Sequence, residues 1–127
     1  MEKVESFKLD HNKVKAPYVR KCCVLDGKIG DKVSKFDLRF LQPNVEAFGT
    51  ASMHGLEHLL ATYLREELDN IIDLSPMGCR TGFYLIIWGD VEASTVKLAL
   101  ERALQKVMEC KEMIAASDVE CGNYRYL

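Results

Sequence analysis

The sequence predicts an α+β domain: a small antiparallel sheet, of three or four strands, with its helices packed on one face. Three observations carry this. Two neighbouring stretches have strand character and are separated by turn residues. A further apolar run spans Gly82 to Trp88. Two long segments repeat their apolar residues at helical spacing. The 127 residues suit one domain, 1–127, with enough chain for a real core but not for two.

Tyr18 to Leu25 reads as the first strand, and Lys32 to Leu41 as the second, where Val33, Phe36, Leu38 and Phe40 appear. Asp26-Gly27-Lys28-Ile29-Gly30-Asp31 between them is turn chemistry, so the pair is a hairpin. Gln42-Pro43-Asn44 ends the second strand. A helix is expected from Ala51 to about Asn70, with Thr50 or Ser52 as its N-cap. Leu56, Leu59, Leu60, Tyr63, Leu64 and Leu68 form its buried stripe. Asp73 to Cys79 reads as a loop leading into the Gly82–Trp88 strand. A second helix is expected from Ser94 to Ala115, setting Val96, Leu100, Ala103, Leu104 and Val107 against charged positions.

Composition narrows the function. The chain is 48% hydrophobic and 28% charged with net charge −2, which gives no footprint for nucleic acid. No apolar run approaches the roughly 20 residues of a membrane span, and the first residues lack the apolar core of a signal peptide. Five cysteines without regular spacing suit a reducing cytoplasm better than a disulfide framework. Cys22 and Cys23 are expected on opposite faces of one strand, and Cys110 as a packing residue of the second helix.

Chemistry concentrates in His54-Gly55-Leu56-Glu57-His58, which holds two of the three histidines. On a helix, positions 54 and 58 differ by one turn plus about 40°, so both imidazoles leave one face. Glu57 stands beside them as an acid/base. The order His-x-x-Glu-His inverts the commoner zinc-protease motif. A catalytic metal usually takes three protein ligands and an open position. Cys79, Cys121, His11, Glu66 and Asp69 are all candidates for the third, and the residues alone leave that choice open. Two helix-surface histidines with no metal are the plainer alternative.

Five blocks around the motif resemble the LuxS family, the S-ribosylhomocysteine lyases. They are Ser6 to Arg20, Phe36-Asp37-Leu38-Arg39-Phe40 with Gln42-Pro43-Asn44, His54 to Ala61, Ser75 to Tyr84, and Cys121-Gly122-Asn123-Tyr124. They occur in the family's order and span nearly the whole chain. The resemblance implies cleavage of S-ribosylhomocysteine to homocysteine and 4,5-dihydroxy-2,3-pentanedione, the autoinducer-2 precursor. It implies His54, His58 and Cys121 as ligands of one divalent metal per subunit, iron(II) in the cell with zinc or cobalt as substitutes. Cys79 matches the catalytic thiol and Glu57 the second acid/base. Ser6, His11 and Arg39 match pocket positions, in a site that the family builds at a homodimer interface. Asp73 answers the substrate ammonium or serves only its turn. A cation such as Arg39 or Arg80, and a nearby metal, would favour the thiolate of Cys79 near neutrality, and Gly78 would let the backbone approach substrate closely.

Two positions depart from the family pattern: Asn12 and Gly55 stand where threonine is more usual, and Gly55 costs a helix up to ~1 kcal/mol. The chain also stops soon after Cys121, where relatives continue, so a frayed end beside a ligand is expected to loosen the metal. An inverted-motif metallopeptidase and a non-catalytic metal-binding domain are the competing readings. The first has no task for Cys79 or Arg39, and the second none for Glu57.

Overall fold

Residues 3–127 are described in a computed structural model. Four strands, β1 (Tyr18–Asp26), β2 (Lys32–Arg39), β3 (Ile71–Pro76) and β4 (Gly82–Trp88), form one antiparallel sheet in the order β1-β2-β4-β3. Helices α2 (Thr50–Glu67) and α3 (Ala93–Glu109) pack on one face, and a short α1 (Glu5–Lys8) precedes β1. This is the α+β arrangement expected from the sequence.

Strand alternation divides the sheet chemically. Phe36 and Leu38 of β2, Leu74 of β3 and Phe83, Leu85 and Ile87 of β4 are buried together with Met53, Leu60, Leu64, Val96, Leu100 and Ala103 of the helices. Each fully buried Leu or Phe contributes roughly 1.5–3 kcal/mol. The alternate positions Asp37, Arg39 and Tyr84 point to the other face. There Arg20 bridges Asp37 to Glu5 of α1.

Several element boundaries differ from expectation. Residues 71–76 form an edge strand rather than a loop, with Ile72 as the extra residue of a bulge against β4. Asp73, Ser75 and Pro76 are turn formers, but an edge strand tolerates a terminal proline. The N-cap of α2 is Gly49, without a side-chain hydrogen bond, so neither Thr50 nor Ser52 caps it. The second long helix ends at Glu109, not near Ala115, because Cys110 turns extended and the chain crosses towards α2. Cys110 therefore lies just beyond the helix, its Sγ donating to the Glu112 carbonyl at 2.8 Å. The expected stripe of α2 holds at Leu60 and Leu64, with Leu56, Tyr63 and Leu68 partly buried against the same core, whereas Leu59 lines a shallow cleft with Met113 and Leu127. Cys22 is the extra residue of a bulge in β1, and both it and Cys23 are half-buried rather than cleanly split between faces.

Gly82 is required where β4 begins. A Cβ there would lie 2.2 Å from the Leu38 carbonyl oxygen and 2.9 Å from Arg39 Cα. Gly82→Ala must push β2 from β4, and we expect a loss of about 1–3 kcal/mol in chemical denaturation, the scale of a forced overpacking. Unchanged stability would contradict this register.

Candidate metal and thiol site

The histidine pair leaves α2 on one face, as the spacing predicts, with ring centroids 4.7 Å apart and planes at 85°. Cys121 comes from the segment after α3, its Sγ 3.3 Å from His54 Nε2. One donor atom from each of His54, His58 and Cys121 lies within 4.8 Å of the others. His54 Nδ1 donates to the Tyr126 carbonyl at 3.0 Å and His58 Nδ1 to the Ile114 carbonyl at 2.9 Å. A carbonyl only accepts, so both protons sit on Nδ1 and both Nε2 lone pairs are free to ligate. The Asn123 amide donates to Cys121 Sγ at 3.4 Å, which suits a ligating thiolate. This donor set, with its outer hydrogen bonds, fits a divalent metal.

The residues after α3 thus do more than supply a candidate ligand. They carry Cys121 and both carbonyls that orient the imidazoles. Ala115, next to Ile114, holds a left-handed φ of 55°, a conformation that costs a non-glycine residue about 1–2 kcal/mol. Gly55 lies buried on α2 under this segment, where a Cβ would stand 3.0 Å from Met113 Cε. Beyond Cys121, Tyr124–Tyr126 form a 3-10 turn whose Tyr126 carbonyl accepts from His54.

The turn Met77–Arg80 carries Cys79. Its Arg80 amide donates to the Met77 carbonyl at 2.9 Å, and the Arg80 side chain donates to the Phe48 carbonyl at 2.8 Å. The left-handed residue of the turn is Arg80, at φ 60°, while Gly78 has an ordinary φ and open space around its Cβ direction. Glycine is therefore not demanded at 78 by the fold. Exposed Cys79 lines a cavity of about 580 Å³ together with His11, Arg39, Glu46 and Thr81. The other side of the same turn, through Pro76, Met77, Gly78 and Arg80, walls a cleft with His54 and Glu57. Asp73 is exposed on β3 and lines a neighbouring cleft with Glu57 and His58. Ser6 is not among the residues lining the Cys79 cavity and sits by Tyr84, on the sheet face that also carries Asp37 and Arg39.

Arg39 is 2% exposed and bonded on three sides. Its Nε donates to Asp37 Oδ1 at 3.0 Å, its Nη2 to Asp37 Oδ2 at 2.8 Å and its Nη1 to Thr81 Oγ1 at 3.0 Å. Burial alone would disfavour the guanidinium charge. The hydrogen bond and charge of Asp37 outweigh it and hold the Arg39 pKa above its ordinary value.

A model of the family described as S-Ribosylhomocysteinase (LuxS) matches residues 4–127. The chain belongs to the LuxS family. The S-ribosylhomocysteine lyase of Clostridioides difficile (strain 630) is 78% identical to it over 127 residues, covering 100% of this chain and 84% of that protein. The S-ribosylhomocysteine lyase of Clostridium botulinum (strain Alaska E43 / Type E3) is 75% identical over 127 residues, with the same coverage of 100% and 84%. That of Clostridium perfringens (strain SM101 / Type A) is 57% identical over 123 residues, covering 97% of this chain and 82% of that protein.

The structure of this LuxS-family enzyme adds two residues to the site that motif spacing did not single out, Asp37 and Thr81. Asp37 had a signal in sequence: Asp-x-Arg in a strand puts both side chains on one face. Thr81 had none, because its bond to Arg39 joins residues 42 apart in the chain.

Among the cysteines, Cys22 is set apart by its surroundings. Burial, opposed by the nearby Arg20 charge, pushes its thiol up to about 12. It stays protonated at pH 8, where only thiolates alkylate. We expect iodoacetamide at pH 8 to modify exposed Cys79 and leave Cys22 intact, read by peptide mass spectrometry. Comparable labelling of Cys22 would contradict its burial.

Proposed function

We propose that this LuxS-family enzyme cleaves S-ribosylhomocysteine to homocysteine and 4,5-dihydroxy-2,3-pentanedione, with one divalent metal held by His54, His58 and Cys121. One observation carries the reading: His54 of the His-His-Cys donor set lines one cleft with Glu57 and with Met77, Gly78 and Arg80 of the turn that bears Cys79. An inverted-motif peptidase would leave that thiol and its buried Arg39 without a task.

The leaving sulfur is on C5 of the ribose, so β-elimination needs a carbonyl at C3. The carbonyl must therefore move from C1 to C2 and then to C3. Each move removes a proton beside the carbonyl and returns one to the former carbonyl carbon. Cys79 Sγ is the group proposed for the first transfer, and the Glu57 carboxylate for the later proton removal, ending at C4. As the C4 proton leaves, the C4–C5 double bond forms, the C5–S bond breaks, and the homocysteine thiolate departs. The remaining enol takes a proton at C5 to give the diketone. A divalent cation held by the triad supplies Lewis acidity for negative charge developing on the sugar oxygens. Iron(II) is the metal proposed for the cell, with zinc or cobalt able to occupy the same donors.

His11 edges the Cys79 cavity, and Asp73 is proposed to receive the substrate ammonium from its place beside Glu57 and His58. Arg39 lines the cavity with three of its five N–H groups bonded to Asp37 and Thr81, and it is proposed to supply positive charge to the substrate pocket. Ser6 does not line the Cys79 cavity of its own chain, and the proposed enzyme is a homodimer in which a partner subunit completes the pocket. We place the enzyme in the cytoplasm; none of the described helices is long and apolar enough to cross a membrane.

The test supplies S-ribosylhomocysteine anaerobically to metal-depleted and to cobalt(II)-reloaded protein and measures free homocysteine with a thiol reagent. Release only after reloading is expected. No release from the reloaded protein would overturn the reading.

A further inference from the structure

The contacts around Cys79 form a directed chain. Arg39 can only donate, so Thr81 Oγ1 accepts its Nη1–H at 3.0 Å. Cys79 Sγ lies 3.1 Å from the same Oγ1. Thr81 is 3% exposed, so water offers its hydroxyl hydrogen little alternative. If Cys79 is a thiol pointing at Oγ1, two donors converge on that oxygen and the hydrogen of Thr81 is left over. If Cys79 is a thiolate, the hydroxyl turns to Sγ and every group is satisfied. We propose that Thr81 is a positioning residue that passes the charge of Arg39, itself clamped by Asp37, to Cys79 by donating to its sulfur.

The anchoring explains why an arginine beneath the cavity needs so many partners. Asp37 is 0% exposed and accepts from Arg39, from Arg20 at 3.3 and 3.2 Å, and from Tyr18 Oη at 3.1 Å. Burial, followed by the charge of Asp37, raises Tyr18 to about 12, so it remains the neutral donor there. Arg39 is thus fixed with its remaining Nη1 facing Thr81. The other charged or titratable groups around Cys79 are His11 of the N-terminal segment, Glu46 of the loop before α2, and Arg80 of its own turn. Of these side chains, Thr81 alone has a hydrogen-bonding atom in contact with the sulfur among the described residues.

The proposal rests on the reading of Cys79 as the working thiol, and its test needs no substrate, so the two fail separately. The metal-loaded chain is alkylated with iodoacetamide from pH 5 to 9, and modification of the Cys79 peptide is followed by mass spectrometry. Thr81→Val keeps the shape and removes the hydroxyl. It is expected to slow Cys79 alkylation at pH 7 about ten-fold and to move the profile to higher pH, the scale of one charge-assisted hydrogen bond. Thr81→Ser restores the donor and is expected to stay within about two-fold of the parent chain on the same scale. Protection of Cys22 in each variant reports an intact sheet. If Thr81→Val disturbs it, Thr81→Ala carries the same expectation. Parental alkylation in a folded hydroxyl-free variant, or a Thr81→Ser profile as shifted as that of Thr81→Val, would overturn the proposal.

Discussion

Cys121→Ser is expected to release the metal and abolish turnover while the sheet and long helices stay folded. Cys121 is the one proposed ligand not carried by α2, and it arrives from a segment joined to α2 by the Tyr126 and Ile114 carbonyls on the imidazoles and by Met113 over Gly55. Removing its thiolate leaves two histidines on one helix face, which rarely retain a catalytic metal alone. Losing only an outer hydrogen bond to a ligand costs about 10–100-fold in metal affinity, so loss of the ligand itself should exceed ~100-fold. Metal per chain after gel filtration checks this, expected near one for the parent and near zero for Cys121→Ser. Stoichiometric metal in the variant would remove Cys121 from the ligand set.

Cys79→Ala should separate chemistry from metal binding. Cys79 shares no hydrogen bond with the triad, and its turn is secured by backbone and by Arg80, not by its sulfur. The variant is therefore expected to keep one metal per chain and its fold. Turnover should fall by roughly 10²–10⁴, the usual contribution of a positioned acid/base. Full turnover with metal bound would show that some other group moves the first proton. A joint loss of metal and turnover would mean that Cys79 supports the metal site, contrary to the geometry.

Much of this arrangement was legible in the sequence, and the exceptions share a cause. The helical spacing of His54 and His58, the hairpin and the Gly82–Trp88 strand all express local periodicity. Residues 71–76 did not, because Asp73, Ser75 and Pro76 resemble a turn until β4 provides a partner. Lys111 to Ala116 continue the composition of α3, yet their backbone is used to hold His58. Thr81 was invisible for the same reason: its role is defined by Arg39 and Cys79 together, one near in sequence and one far. Cys121 was singled out as a candidate ligand only through the family resemblance, since spacing left several candidates open. The fold then brings it, and no other cysteine, to the histidine pair among the described residues.

The proposed division of labour between Cys79 and Glu57 can be tested in both halves by one variant. Glu57→Gln, loaded with cobalt(II), is incubated anaerobically with S-ribosylhomocysteine in D₂O while NMR follows deuterium entering the ribosyl carbons and a thiol reagent follows homocysteine. Deuterium is expected at the carbons exchanged by Cys79, with homocysteine release nearly absent. Homocysteine release at the parent rate would contradict it.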